Sequence, residues 1–211
     1  MLSQFFSELL TQLQNAKPLE WIGVIAGIAS VWFSKKENIL VYPVGLINTI
    51  IYIFLSAKGA LFGEAAVNFY YTIVSIYGWW LWALKKEDNK PQTPIAYSNK
   101  KEIVYQLGFF SFFLVSLFSI LSLVKKGFAA DTIPWADSIA SASAFTGMWL
   151  MAKKKVESWY WWILTNIFSI PLYFVKHYAL TSAYYVILLL LAFSGLMEWR
   201  RKAIENIKSS T

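Results

Sequence analysis

Long apolar stretches, separated by short charged or polar segments, dominate the pattern of this chain. A helix needs about 17 to 25 mostly apolar residues to cross the hydrocarbon core of a bilayer. The apolar stretches reach that length, so the pattern predicts seven transmembrane helices. These predicted spans cover residues 18–34, 39–57, 62–84, 103–124, 135–152, 157–175 and 180–199.

Three segments of more than ten residues fall outside the predicted spans. Residues 1–17 are amphipathic and predict a helix at the membrane interface, without the basic and apolar regions of a cleavable signal peptide. Residues 85–102, KKEDNKPQTPIAYSNKKE, predict a hydrophilic linker, and residues 200–211 predict a basic tail. We expect both of these segments to lie in the cytoplasm.

Composition supports a membrane protein and excludes several kinds of site. Hydrophobic residues make up 57% of the chain, whereas only 15% are charged, well below the usual share in soluble domains. The chain has no cysteine and one histidine, which excludes disulfides, thiolate metal sites and multi-histidine metal sites, and we expect no metal or cofactor. Lysines that flank the spans explain the net charge of +7 better than nucleic-acid binding does.

The distribution of basic residues predicts the orientation of the chain. Of the nineteen lysines and arginines, five fall on the side of the N-terminus and fourteen on the opposite side of the predicted spans. Positively charged loops stay in the cytoplasm. We therefore expect the N-terminus outside the cell and the C-terminus in the cytoplasm.

The first and last three spans resemble each other, which indicates an internal repeat. Three pairs of residues are 117 positions apart, and a fourth pair is 118 apart: Trp32 and Trp149, Gly78 and Gly195, Trp82 and Trp199, then Asn48 and Asn166. The pattern predicts an all-α, polytopic protein with two parallel three-helix repeats, residues 18–84 and 135–199, joined through a connecting helix at 103–124. Such a 3+1+3 arrangement is typical of transporters.

One aromatic stretch, ESWYWWILTNIFSIP at residues 157–171, is the first candidate for a binding site. At helical spacing Trp159, Trp162 and Asn166 share one face. Asn48 occupies a similar place in the second span. Because an unpaired amide in hydrocarbon costs several kcal/mol, both asparagines should face the protein interior, either as ligand contacts or as hydrogen bonds between helices.

The third span adds a second polar face. Glu64, Asn68 and Tyr71 are four and then three residues apart on one helix face, and Tyr185 occupies the position of Asn68 in the second repeat. Glu64 either meets a cationic ligand or is solvated at the interface. Aromatic faces combined with amides suit a flat, positively charged heterocycle. A membrane-embedded enzyme remains a remote alternative, since the spans contain no nucleophile–base pair or metal cluster.

Four stretches together resemble the Pnu family of bacterial vitamin transporters: GLINTIIY, NFYYTIVSIYGWWLW, PWADS and VESWYWWILTNIFS. The resemblance covers nearly the whole chain after residue 17. It implies a 3+1+3 homotrimer in the bacterial inner membrane, and facilitated diffusion of a dephosphorylated vitamin that a cytoplasmic kinase or pyrophosphokinase then traps. The family's substrate-binding residues fall on Asn48, Trp159, Trp162 and Asn166.

The resemblance also bears on the substrate. The nicotinamide riboside branch of the family (PnuC) carries glutamine in the third span where this chain has Asn68, and the thiamine branch resembles this chain more closely there. With Glu64 nearby, thiamine becomes the lead substrate and nicotinamide riboside the alternative. Both vitamins are flat cations, so the aromatic residues do not distinguish them.

Overall fold

Helices are the main regular structure of the part of the chain that the structure describes, and only two isolated bridge pairs, Lys85 with Pro91 and Ala96 with Lys155, stand beside them. The computed structural model covers residues 2–58, 62–85, 91–125 and 132–209, without the side chains of residues 2–4 and 62–64. The predicted all-α class is confirmed within these ranges. The helices are α1 (Leu2–Asn15), α2 (Pro18–Lys35), α3 (Val41–Lys58), α4 (Phe62–Ala83), α5 (Lys100–Val124), α6 (Pro134–Ala152), α7 (Ser158–Val175) and α8 (Ala179–Lys208).

Three of the described helices are long and apolar enough to cross a membrane: Val41–Lys58, Lys100–Val124 and Ala179–Lys208. In α5 the apolar side chains point outward, with Phe112 65% exposed and Leu123 79% exposed. Such exposure would be unfavourable in water, and it fits a helix in contact with lipid. The full set of seven spans stays a prediction.

Six helices form a closed ring made of two triplets. In the first triplet α2 packs on α3 and α3 on α4, and in the second triplet α6 packs on α7 and α7 on α8. The ring closes where α2 meets α8 and where α4 meets α6. Each contact therefore has its counterpart in the other triplet. Outside the ring, α5 packs on α6 and α1 packs on α8.

The same backbone turn ends α2 and α6, the first helices of the two triplets. The Glu37 N–H donates to Ser34 O at 2.9 Å, and the Lys154 N–H donates to Met151 O at 3.0 Å. Glu37 (φ 58°) and Lys154 (φ 52°) both adopt the left-handed conformation, which is uncommon without glycine. Since these residues are 117 positions apart, the repeat extends to the backbone.

A buried aromatic cluster fills the basic end of the ring, which we define as the end that carries Lys35, Lys36 and residues 153–155. It includes Tyr42, Trp82, Trp159 and Trp199. The Tyr42 ring covers Gly78, where a Cβ atom would lie 2.6 Å from Tyr42 Cε1, and the Trp159 ring covers Gly195 in the same way, with 2.5 Å to Cζ2. Glycine is required at both positions because the rings approach the helix backbone so closely.

Part of the predicted hydrophilic linker packs against the second triplet. Ile95 is 1% exposed and belongs to the buried aromatic cluster. The Ala96 N–H donates to Lys154 O at 3.2 Å, and Ala96 O accepts from the Val156 N–H at 3.1 Å. The Glu157 carboxylate accepts hydrogen bonds from the Ser98 N–H and Oγ, at 3.0 and 2.9 Å. The predicted tail also differs, because α8 continues through it to Lys208.

Candidate functional site

One face of α7 presents an aromatic ring and a buried amide to the inside of the ring of helices. Trp162 and Asn166 are one helical turn apart, and Asn166 is only 2% exposed. Within the described residues, Asn166 Oδ1 is buried and has no hydrogen-bond partner. A buried acceptor without a donor costs about 1–3 kcal/mol, so Asn166 is a feature that protein folding alone does not explain.

Aromatic residues of α4 and α6 continue the surface that Trp162 begins on α7, and we call these rings together the aromatic wall. The Tyr71 ring centroid lies 6.2 Å from that of Trp162 and 6.2 Å from that of Phe145, which it meets edge-on at 82°. Tyr70 packs on Phe145 at 4.4 Å and donates its hydroxyl to Phe145 O at 3.1 Å. The ring of Phe145 is thereby fixed from two directions.

Two tyrosines of α8 close the remaining side. Tyr184 and Tyr185 are adjacent on α8, with 5.7 Å between their ring centroids. Tyr185 stacks on Tyr173 with 5.3 Å between ring centroids and 12° between planes. The Tyr184 hydroxyl reaches Gly27 of α2, where any Cβ atom would collide with it. Residues from both triplets therefore surround one interior region.

Asn48 joins α3 to α2 through a hydrogen bond. The residue at its position in the second triplet is not Asn166, which the sequence predicts. Its Nδ2 donates to Gly23 O at 2.7 Å. In the second triplet Thr165 Oγ1 lies 3.4 Å from Ala140 O, and both of these contacts join residues 25 positions apart. The counterpart of Asn48 is therefore Thr165, at the same 117-residue offset as the other pairs, and the predicted pairing of Asn48 with Asn166 is wrong.

The two triplets differ where α7 meets α6. Gly147 lies against Trp162, with 3.3 Å from a Cβ position to Trp162 Cε2 and Nε1. At the equivalent contact of the first triplet, Ser30 Oγ lies 2.9 Å from a Cβ position at Gly45. The residue of the first triplet that corresponds to Trp162 is therefore Gly45. The second triplet contributes a large aromatic ring at this position, and the first triplet contributes none.

Comparison with known proteins identifies the family. Residues 17–201 match the family model described as nicotinamide mononucleotide transporter. The chain belongs to this family. The nicotinamide riboside transporter PnuC of Escherichia coli (strain K12) is 25% identical over 208 residues, which cover 89% of this chain and 87% of PnuC. The predicted membership of the Pnu family is confirmed.

Two further relatives are similar over most of their length. The riboflavin/roseoflavin transporter RibM of Streptomyces davaonensis is 24% identical over 183 residues, covering 85% of this chain and 83% of RibM. The crystal structure of the vitamin B3 transporter PnuC superposes with a TM-score of 0.70 and 21% identity, covering 97% of this chain and 90% of PnuC. This member of the nicotinamide mononucleotide transporter family is a membrane transporter, not an enzyme.

Of the residues predicted from sequence, the structure places Tyr71 against Trp162, with Asn166 one turn further along α7. Tyr185 stacks on Tyr173 of the same helix pair, α7 and α8. Asn48 lies near Tyr184 and Gly27. Asn68 is buried in α4. Its backbone carbonyl oxygen accepts a hydrogen bond from Thr72 Oγ1 at 3.0 Å. Trp159 lies in the aromatic cluster at the basic end, and the side chain of Glu64 is outside the described residues.

Sequence reasoning missed Tyr70, Phe145 and Tyr184 as neighbours of the site. Phe145 stands in a run of small residues, SIASASAF, which gave no reason to select it. The signal for Tyr184 was Gly27, because a glycine inside an apolar helix often marks a close approach by another group. Which group approaches Gly27 depends on how α2 packs against α8.

Proposed function

We propose that this transporter mediates facilitated uptake of a flat, dephosphorylated vitamin, with nicotinamide riboside as the substrate. The E. coli relative, aligned over 89% of this chain, carries that substrate in its name. The sequence-based preference for thiamine, which rests on Asn68, receives no support. The relatives described above are named for nicotinamide riboside, riboflavin and vitamin B3. The alternative substrate of the sequence analysis thus becomes the first choice.

The unpartnered Oδ1 of Asn166 is the observation that carries this proposal. The carboxamide of nicotinamide riboside offers an N–H donor that would satisfy this acceptor. Its positively charged pyridinium ring would pack against the aromatic surface that Trp162 and Tyr71 form together, where cation–π attraction is worth about 0.5–2 kcal/mol. Tyr185 would provide a further aromatic contact. Asn48, Asn68, Trp159 and Glu64 stay predicted contacts.

The wider architecture forms part of the same proposal. We place seven transmembrane helices, α2 to α8, in a 3+1+3 arrangement with the N-terminus outside and the C-terminus in the cytoplasm. The matching contacts of the two triplets support this plan. Assembly as a homotrimer in the inner membrane, with a cytoplasmic kinase that traps the vitamin, follows from the family resemblance.

The sharpest test replaces Asn166 with leucine, which has a similar size and no polar atoms. If Asn166 serves the ligand, Asn166→Leu removes an unsatisfied acceptor, so the protein should melt at the same or a higher temperature. Its affinity should fall about 5- to 160-fold, because the ligand's N–H would be buried without an acceptor at a cost of about 1–3 kcal/mol. If Asn166 is only structural, stability should fall and affinity should persist in the folded fraction.

The assay is a tryptophan-fluorescence titration of purified protein with nicotinamide riboside, thiamine and riboflavin in parallel. Thr165→Val is the matched control, because Thr165 is the neighbouring residue and contacts protein carbonyl oxygens instead. It should keep its affinity. Uptake of labelled nicotinamide riboside into liposomes tests transport itself, and tighter binding or faster uptake of thiamine would reverse the order of the two substrates.

A further inference from the structure

Three contacts at the basic end of the ring join residues that are exactly one repeat apart. Ser34 Oγ lies 2.9 Å from Met151 Sδ, and Lys154 Nζ donates to Glu37 Oε1 at 2.9 Å, each across 117 positions. The rings of Trp82 and Trp199, the third such pair, have centroids 6.1 Å apart. All three pairs connect the first triplet with the second.

Contacts between equivalent residues locate the axis that relates the two triplets. In any two-fold arrangement, a group can touch its own counterpart only when both lie close to the axis. The axis therefore passes between Ser34 and Met151, and between Glu37 and Lys154. Any opening of the two triplets on this side must separate these pairs.

Hydrogen bonds from the two tryptophans run across the same boundary in both directions. Trp82 of the first triplet donates its Nε1–H to Ala152 O at 3.0 Å. Trp199 of the second triplet donates its Nε1–H to Ser34 O, also at 3.0 Å. Both rings are nearly fully buried. The boundary is therefore a buried, packed seam, in which a tryptophan of each triplet donates to a backbone carbonyl at the helix end of the other.

Charged groups cover the seam at its outer edge. The Glu37 carboxylate accepts from Lys154 at 2.9 Å and from Lys202 at 3.1 Å. The Lys154 side chain is only 4% exposed, and its Nζ lies 4.6 Å from the centre of the Trp82 ring. Because Glu37 belongs to the first triplet and both lysines belong to the second, the ion pairs also bridge the boundary.

We propose that this seam, made by Ser34, Glu37, Trp82, Met151, Lys154 and Trp199, is the gate at the basic end of the transporter. It is closed in this structure, and it opens when the two triplets move apart around the axis to release substrate. The inference rests on the proposed transport function. It assigns to named residues the contacts that must break in each transport cycle.

The experiment introduces one cysteine on each side of the seam, in a chain that has no native cysteine. Ser34→Cys with Met151→Cys places two thiols across the seam at positions whose native side chains meet at 2.9 Å, and oxidation joins them where the sulfurs come within bonding reach. The oxidised protein should take up labelled nicotinamide riboside into liposomes at least tenfold more slowly than the reduced protein, while it still binds substrate in the fluorescence titration. Reduction should restore uptake.

The control pair is Thr49→Cys with Thr72→Cys, whose hydroxyls lie 3.0 Å apart between α3 and α4 of one triplet. Its disulfide should leave uptake unchanged. If the cross-linked Ser34–Met151 protein transports at the same rate as its reduced form, the gate proposal is overturned. If the pair does not cross-link, the labelling rates described next decide. Failure of the unmodified and reduced proteins to transport at all would instead refute the proposed function.

A second measurement does not depend on disulfide formation. Ser34 is 3% exposed, so the single variant Ser34→Cys should react slowly with a maleimide. Adding Lys154→Gln removes an ion pair of the seam and should speed labelling at least tenfold. Adding Asp137→Asn instead breaks the 2.9 Å ion pair with Lys176, which lies wholly on the second triplet's side, and should leave the rate unchanged. Equal rates in all three proteins would contradict the gate.

Discussion

Gly195→Ala is expected to destabilise this transporter because Trp159 lies directly on the glycine. The new Cβ atom would lie 2.5 and 2.6 Å from Cζ2 and Cζ3 of the ring, about 1 Å inside normal contact between carbon atoms. The ring cannot move aside easily, since it is 1% exposed and meets Trp199 at 5.6 Å. Overpacking of this kind costs about 1–3 kcal/mol, and the rigid ring favours the upper value.

The replacement also has a favourable part, because alanine suits a helix better than glycine by about 1 kcal/mol. The net loss should therefore be about 2 kcal/mol, or about 4–8 °C in the melting temperature of a chain of this size. Thermal unfolding in detergent measures this change. Gly108→Ala is the matched control: a Cβ atom there has nothing within 4 Å in the described structure, so only the helix gain remains and the protein should melt slightly higher.

A second substitution tests whether Gly195→Ala destabilises the protein through a steric clash with the Trp159 ring. Trp159→Phe shortens the ring that Gly195→Ala would strike, so the double variant should lose less stability than the sum of the two single variants. An unchanged or raised melting temperature for Gly195→Ala would refute the reasoning. So would strict additivity in the double variant, since it would mean that the alanine and the ring do not meet.

Three further outcomes are expected. Gly78→Ala should also lower the melting temperature, but by less than Gly195→Ala does. The new Cβ atom meets the hydroxyl end of Tyr42, which can shift more readily than the indole of Trp159, and thermal unfolding of both variants in parallel compares the two losses. Glu157→Gln weakens the hydrogen bonds that Ser98 donates, so limited proteolysis should cut residues 91–99 faster at an unchanged melting temperature of the helices. Gly27→Ala displaces the Tyr184 hydroxyl and should lower substrate affinity in the fluorescence titration.

The helical class and the family could be predicted because the bilayer imposes strong constraints on sequence. A spanning helix must satisfy its own backbone hydrogen bonds and present apolar side chains to lipid, and both demands leave long apolar stretches that can be read directly. The aromatic stretch with Trp162 and Asn166 was visible for a related reason, because an amide within such a stretch needs a specific partner or ligand.

Packing between distant helices could not be predicted in the same way. Ile95 stands in a hydrophilic segment, and it is buried because it joins a cluster whose other members come from helices distant in the sequence. Trp159 and Trp162 share a helix face, yet one lies on Gly195 and the other on Gly147. The counterpart of Asn48 became clear only from its hydrogen bond to Gly23 O, because several polar residues in the second repeat could occupy that place.

The degree of symmetry separates two kinds of region in this molecule. At the basic end the two triplets are nearly equivalent, with Tyr42 on Gly78 matched by Trp159 on Gly195, and with Trp82 facing Trp199. A boundary that opens by relative movement of two similar bodies benefits from matched surfaces on both sides. This agreement supports a gate at the basic end.

In the interior the equivalence is broken. Trp162 corresponds to Gly45, and Asn166 corresponds to Thr49, whose hydroxyl is paired with Thr72 at 3.0 Å while Asn166 Oδ1 has no partner in the described structure. Thr165 carries the helix-packing contact that Asn48 carries in the first triplet, which leaves the next residue available for another purpose. A vitamin with one ring and one sugar has no two-fold symmetry, so a site that binds it must lose the symmetry of the repeat where contact is made. The interior region around Trp162 and Asn166 is where that loss is concentrated.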